Sequence, residues 1–189
     1  NFRINEGEGA FYGPKIDFHI KDCIGRTWQC ATIQVDFQMP EKFELVYIGE
    51  DGSKHTPVII HSVVYGSIER FFGILIEHYA GKFPLWLSPV QARILTVADR
   101  FNEYAEAVRK KYEEAGLRVE VDSRSESISY KVRDAQLAQV NYILVVGEKE
   151  IGEKTVTVRT RDNQIAGAMR IEEFLKRLLE EVYLLIHIF

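Results

Sequence analysis

The chain has 189 residues, 46% hydrophobic and 28% charged, with a formal net charge of −4, the composition of an ordinary globular protein with room for one large domain or two small ones. That charge excludes a chain that binds nucleic acid through a global positive field, and two cysteines exclude a disulfide scaffold and fit a reducing cytosol. No apolar run reaches the ~20 residues of a membrane span, and a first residue of Asn rather than Met suggests a piece of a longer polypeptide.

The first third reads as strands. KIDFHI (Lys15–Ile20) alternates polar and apolar, and TWQCATIQVDF (Thr27–Phe37) does so over a longer span. In the second segment Trp28, Cys30, Thr32, Gln34 and Asp36 share one parity, and Gln29, Ala31, Ile33, Val35 and Phe37 the other. The first set is too polar to be simple core. An Asp-Gly pair in IGEDGSKHT predicts a hairpin joining Phe43–Ile48 to Thr56–Val63, with the strands forming one sheet. Gly66-Ser67 opens a helix through about Tyr79, its apolar residues Ile68, Phe71, Phe72, Leu75 and Ile76 recurring at helical spacing. GKFPLWLSPVQ, rich in Gly and Pro, marks a domain boundary, placed at residues 84 and 85.

The remainder alternates strand and helix. ARILTV is a buried strand, Asn102–Ala115 an amphipathic helix, and LRVEVD a strand. A helix over Ser125–Gln139 follows, with N-cap chemistry in Ser125, Glu126 and Ser127. YILVVG and KTVTVRTR are further strands, and the last helix runs from Ile171 to about Val182. This order predicts a mixed sheet with helices on its faces. Cations concentrate here: residues 85–189 carry 16 Lys and Arg against 8 in residues 1–84, so RNA, if bound, meets local patches of the second half.

Three local features carry chemistry. His61 ends an apolar run, a position more often structural than ligating; Cys23, Cys30 and His61 invite a zinc reading, but the cysteine spacing puts the thiols on opposite faces of a regular strand. Arg70 stands near the start of an apolar helix, against the helix dipole unless an anion joins it, or is a solvated Arg paired with an acid. EGEGAFYGPKID is glycine-rich but has neither the P-loop nor the Rossmann spacing.

Together, GEGAFYGPKIDF, WQCATIQVDF, IH…GSIERFFGILIEHYAGKFPLWLSPVQ and VRTR resemble, in order and spacing, the C-terminal half of the threonyl-tRNA synthetase family, up to about Glu181. The resemblance implies an α+β fragment of the antiparallel class II catalytic domain over residues 1–84. An α/β anticodon-binding domain, a mixed five-stranded sheet flanked by helices, follows over 85–183, and 184–189 are an unmatched apolar tail. It implies a cytoplasmic, homodimeric parent without membrane attachment, using Mg-ATP and zinc to join threonine to tRNA(Thr). GSIERFFGIL is similar to motif 3, which gives Arg70 the ATP phosphates; Lys15 is its catalytic companion. Gln29, Thr32 and Ser67 match ATP-pocket positions, and Tyr12 and Gln34 threonine-pocket positions. The parities of Gln29 against Thr32 and Gln34 then require a bulge, or side chains on different faces. His61 matches one zinc ligand; the family's other two lie upstream and have no counterpart here. Glu150, Arg159, Lys149, Ser125 and Gln139 match anticodon-domain positions, with Arg161 a phosphate contact. Ser125 and Gln139 replace an Asn and an Arg, and Ser62 and Tyr65 depart from the family near motif 3. The reading places His61 and Arg70 in one cavity, and it expects the fragment alone to be inactive. The competing reading is a non-catalytic RNA-binding or regulatory module derived from a synthetase.

Overall fold

The computed structural model describes residues 2–186, with side chains through Tyr183. The chain separates into two compact units, residues 1–80 and 81–189.

The first unit is built on β1 (Lys15–Lys21), β2 (Thr27–Asp36), α1 (Gln38–Lys42), β3 (Tyr47–Ile48), β4 (Lys54–His55), β5 (Ile59–Val63) and α2 (Ile68–Tyr79). β1, β2 and β5 form an antiparallel sheet with β2 in the centre, while β3 and β4 pair separately. The Asp-Gly turn is therefore real, but it joins strands of two residues, and β5 leaves it to pair with β2. The segment expected to be strand from Phe43 is instead preceded by α1, which Asp36 starts by accepting the amides of Gln38 and Met39.

The β1–β2 register slips by one residue between Asp17 and His19, so Phe18 stands opposite both Cys30 and Ala31. This is a β-bulge on β2, and it decides which side chains meet. Across the sheet, partners share a face. Lys15 and Asp17 of β1, Thr32 and Gln34 of β2 and His61 of β5 therefore lie together. Beyond the bulge the parity of β2 inverts, and Gln29, opposite His19, joins that same face. The opposite face carries Ile16 and Ile60, 59% and 65% exposed, so that side of the sheet is open to solvent in this chain.

Ser67 caps α2 by accepting the Arg70 amide, and Ala80 closes it in the left-handed conformation. Just before the cap, Gly66 has φ +68, and a Cβ there would stand 2.7 Å from the Cys30 carbonyl oxygen. Only glycine lets the chain pass the bulge this closely.

The second unit runs β6 (Ala92–Thr96), α3 (Asn102–Glu114), β7 (Val119–Asp122), α4 (Ile128–Leu137), β8 (Tyr142–Val146), α5 (Glu148–Glu153), β9 (Thr155–Thr160), β10 (Ile165–Arg170) and α6 (Ile171–Ile186). The five strands lie in the order β10-β9-β8-β6-β7, with β6 parallel to β7 and β8, and β9 antiparallel to its neighbours. One face packs Ile94, Leu144, Val156 and Val158 against α3 and α6, where Tyr112, Phe174 and Leu178 are fully buried. The other packs Leu95 and Ile143 under α4 through Val132 and Ala135. Strands covered on both sides read as near-continuous apolar runs, as β8 (YILVV) does throughout and β6 (ARILT) does at Ile94 and Leu95. β9 alternates because Val156 and Val158 enter the core while Thr157 and Arg159 do not.

α4 is shorter than the sequence predicts, starting after Ser127, whose side chain accepts the Tyr130 amide. α6 continues past Val182 through Ile186, so the apolar tail assigned to 184–189 begins as helix, and 187–189 lie outside the described residues.

Candidate functional site

The polar face of the first unit is one continuous network. Lys15 Nζ lies 2.9 Å from Asp17 Oδ2, and Gln29 Nε2 donates to Asp17 Oδ1 at 2.7 Å. The hydrogen-bonded Lys15 ammonium holds the Asp17 carboxyl below the usual carboxylate range, with Thr32 adding to it, and Asp17 in turn raises Lys15. Gln34 Nε2 donates to Thr32 Oγ1 at 3.2 Å, and its Oε1 accepts the Tyr12 hydroxyl. The Tyr12 ring stands edge-on to the His61 imidazole, centroids 6.1 Å apart.

Tyr12 reaches this strip because the glycine-rich loop pairs with the end of β2. The Phe37 amide donates to the Tyr12 carbonyl and the Val35 amide to that of Pro14. Gly13 between them is required by contact, since a Cβ would stand 2.1 Å from the Val35 carbonyl oxygen.

Asp36 ends the strip. Its side chain is 2% exposed, and Oδ2 lies 3.0 Å from His61 Nε2. Burial alone would raise this carboxyl, but the Met39 amide, His61 and the Gln38 amide outweigh it and hold it below its ordinary range. Asp17 and Asp36 are the two site residues that sequence reasoning missed. Asp36 had a signal, the excess polarity of its face of β2.

Arg70 lies elsewhere. Its Nη1 donates to the Gln29 carbonyl at 3.2 Å, and its guanidinium is 5.8 Å from the Trp28 ring centroid. Arg26, Trp28, Arg70, Gly73, Ile74 and Glu77 line a pocket of about 350 Å³. The bulge puts Trp28 on the face opposite Thr32 and Gln34, although it shares their parity in the sequence. The expectation that His61 and Arg70 open into one cavity is not met in this pocket, which His61 does not line: His61 pairs with Gln34, toward the other end of β2 from the Gln29 carbonyl that Arg70 reaches. Ser67 is at the same end as Arg70, its hydroxyl donating to Glu69 at 2.7 Å. Beneath the pocket, Asp22 accepts from Trp28 Nε1, the Arg26 guanidinium and the amides of Arg26 and Ile24. Burial opposes ionisation of Asp22, but these donors pull it down to about 2.

As a complete zinc site the chain does not fit: among the described residues no group of three His, Cys, Asp or Glu could hold a metal. As one ligand of a site completed by other residues, His61 does fit, because a carboxylate on one ring nitrogen is the usual support of a metal-binding imidazole. Cys30 is buried and Cys23 exposed.

In the second unit, Glu150 sits in the first turn of α5, where Oε2 accepts the Gly147 amide at 3.0 Å and Oε1 the Thr157 hydroxyl at 2.7 Å. Arg159 follows Thr157 on the same face of β9, and its Nε is buried without a hydrogen-bond partner among the described residues. Lys149 is exposed beside Glu150. Ser125 lies in an exposed turn before α4, and Gln139 just beyond its end, in the left-handed conformation at φ 56. The ten residues of α4 separate these two by about 15 Å. Gln139 Oε1 is buried and without a hydrogen-bond partner among the described residues, and the residue borders a pocket of about 180 Å³ with Gly81, Phe83, Ser88 and Arg93. Arg161, expected at phosphate, instead donates to the carbonyls of Phe83 at 2.8 Å and Lys82 at 3.3 Å. It ties the linker to the sheet.

Comparison with known proteins agrees with this architecture. Residues 2–79 match the family described as tRNA synthetase class II core domain (G, H, P, S and T), and residues 91–181 the anticodon binding domain family. The threonine–tRNA ligase of Carboxydothermus hydrogenoformans is 61% identical over 181 residues, covering 96% of this chain and 28% of that protein. That of Clostridioides difficile is 58% identical, with the same coverage. The chain thus spans little more than a quarter of the length of these relatives. Among solved structures, the RNA binding domain of threonyl-tRNA synthetase from Cryptosporidium parvum Iowa II matches at a TM-score of 0.80 and 40% identity, over 93% of this chain and 44% of that one. A putative threonyl-tRNA synthetase from Aeropyrum pernix matches at 0.59 and 30% identity, with the same coverages. A class II core segment joined to an anticodon-binding domain, the chain belongs to the threonyl-tRNA synthetase family.

Proposed function

We propose that this chain is part of a threonine–tRNA ligase, an enzyme that activates threonine with Mg-ATP and transfers it to tRNA(Thr). The observation that carries the reading is the 61% identity to a threonine–tRNA ligase across 96% of the chain. The continuous strip from Lys15 to His61 supports it over a non-catalytic RNA-binding module, for which such a strip has no use.

In this reading Tyr12 and Gln34 orient the threonine ammonium, and Thr32, Gln29 and Lys15 line the way to the nucleotide. Arg70 approaches the phosphates from the α2 end, where a guanidinium offers planar, permanently charged donors. Ser67 holds the turn from which Arg70 projects. His61 contributes one zinc ligand. Zinc, when bound, would take the amino and hydroxyl groups of threonine, and a site built for a hydroxyl rejects valine. Catalysis by these residues is positioning and electrostatic stabilisation. The open apolar face around Ile16 and Ile60 would be covered by other parts of the enzyme, since apolar patches of this kind mark contacts.

The second unit would read the anticodon. Arg159 has a free buried donor, Glu150 a neighbouring carboxylate, and Lys149 an exposed charge for phosphate. Gln139 and Ser125 flank this face at the two ends of α4. The parent would act in the cytoplasm, as a homodimer; among the described residues no helix is long and apolar enough to cross a membrane.

The test is binding of this chain to a tRNA(Thr) transcript and to the same transcript with its anticodon permuted. Tighter, salt-sensitive binding to the cognate anticodon is expected. Equal affinity for both would overturn the anticodon reading.

A further inference from the structure

The geometry points to Asp36 as the positioning residue that fixes the tautomer of His61. The inference deepens the reading of His61 as a metal ligand and rests on it. Asp36 is itself held from two sides. Its Oδ1 accepts the amides of Gln38 and Met39, both at 2.9 Å, where β2 gives way to α1. That leaves Oδ2 for His61 Nε2 at 3.0 Å. A carboxylate only accepts hydrogen bonds, so in the neutral imidazole Nε2 must carry the proton. Nδ1 then keeps its lone pair. No described residue donates to Nδ1, and the His61 side chain is 47% exposed, so that lone pair is available to a ligand.

The register holds this arrangement in place. His61 pairs with Gln34 and Ile59 with Asp36, so the imidazole and carboxylate come from adjacent strands fixed by backbone hydrogen bonds. Tyr12 packs edge-on to the ring from the glycine-rich loop. The strip thus presents one defined nitrogen rather than a mixture of two.

Asp36→Asn makes the reasoning testable, because the asparagine keeps the shape and inverts one hydrogen bond. The two backbone amides still require an acceptor, which retains the side-chain oxygen on their side. The amide nitrogen then faces His61 and donates to Nε2, and the ring must move its proton to Nδ1. The lone pair offered outward is lost.

The experiment is long-range proton–nitrogen correlation spectroscopy on the labelled 189-residue chain, at a pH well above the ordinary histidine range, with the His61 signals assigned by loss in His61→Ala. The expected result is an Nε2–H ring in the unmodified chain and an Nδ1–H ring in Asp36→Asn. An Nδ1–H ring or an even mixture in the unmodified chain overturns the inference, as does an unchanged tautomer in Asp36→Asn. If that variant does not fold, the unmodified spectrum alone decides. The metal reading is judged separately: full-length enzyme that keeps its zinc after His61→Ala overturns it, while the tautomer result still decides the role of Asp36.

Discussion

Replacing Glu150 by Ala should separate two functions that this one carboxylate combines. The side chain satisfies the buried Gly147 amide at the start of α5 and accepts the Thr157 hydroxyl on β9. Loss of an N-terminal cap interaction costs about 1 kcal/mol. A hydrogen bond to a charged group contributes about 1.5 to 3 kcal/mol, and here, half-buried, it belongs at the lower end. The second unit should therefore lose about 2 to 3 kcal/mol, which for a domain of this size lowers its melting temperature by about 8 to 12 °C. Glu150→Gln retains an acceptor for Gly147, and the Thr157 hydroxyl can rotate to accept from the new amide, so the expected loss is under about 1 kcal/mol. If the carboxylate also reads a base, Glu150→Gln should still lose about tenfold in preference for the cognate anticodon, the equivalent of about 1.4 kcal/mol. Calorimetry and tRNA binding on both variants give the answer. A melting temperature of Glu150→Ala within about 2 °C of the parent refutes the structural reasoning. Full selectivity in Glu150→Gln refutes a role in reading the anticodon.

The 189-residue chain alone should support no threonine-dependent ATP–pyrophosphate exchange; measurable exchange would show that its own residues complete the active site. Asp22 is held down to about 2, so the stability it provides is complete above the ordinary carboxylate range and fades as pH falls through about 2. Trp28 emission in a Trp86→Phe background should change as pH falls through about 2 and lose that transition in Asp22→Asn; a transition unaffected by Asp22→Asn would contradict this. Phe174 is fully buried with the Tyr112 and Tyr142 rings 6.5 and 5.3 Å away, and Phe174→Ala should cost about 3 to 5 kcal/mol by chemical denaturation. A loss below about 1 kcal/mol would mean that α6 contributes little to the core.

Long elements with strong periodicity were legible in the sequence: β1, β2, α2 and the β6-to-β9 alternation with α3 and α4 between. What escaped was short or depended on distant partners. α1 and α5 have five and six residues, too few for a helical period to show. β10, with the sequence IAGAMR, carries a glycine and two alanines in place of branched residues and becomes a strand by pairing with β9. The Asp-Gly turn was visible, but nothing local says that β5 would leave it for β2. The site shows the same division. Residue types and family spacing marked Tyr12, Lys15, Gln29 and His61, whereas the Asp36–His61 pair spans 25 positions and exists only through sheet register. The conflict of parity between Gln29 and Thr32 could be stated from the sequence. Its resolution needed β1, because only the strand opposite shows where the extra residue is absorbed.

That extra residue at Cys30 and Ala31 divides β2 into two segments whose side chains are aimed separately. Upstream changes bear on Gln29 and the arginine-lined pocket; downstream changes bear on Thr32, Gln34 and the imidazole. The two segments stay coupled at one point, because Asp17 accepts from Gln29 on one side of the bulge and is hydrogen-bonded to Thr32 on the other. Deleting Ala31 would remove the division, turning Gln29 toward α2 and Trp28 into the strip.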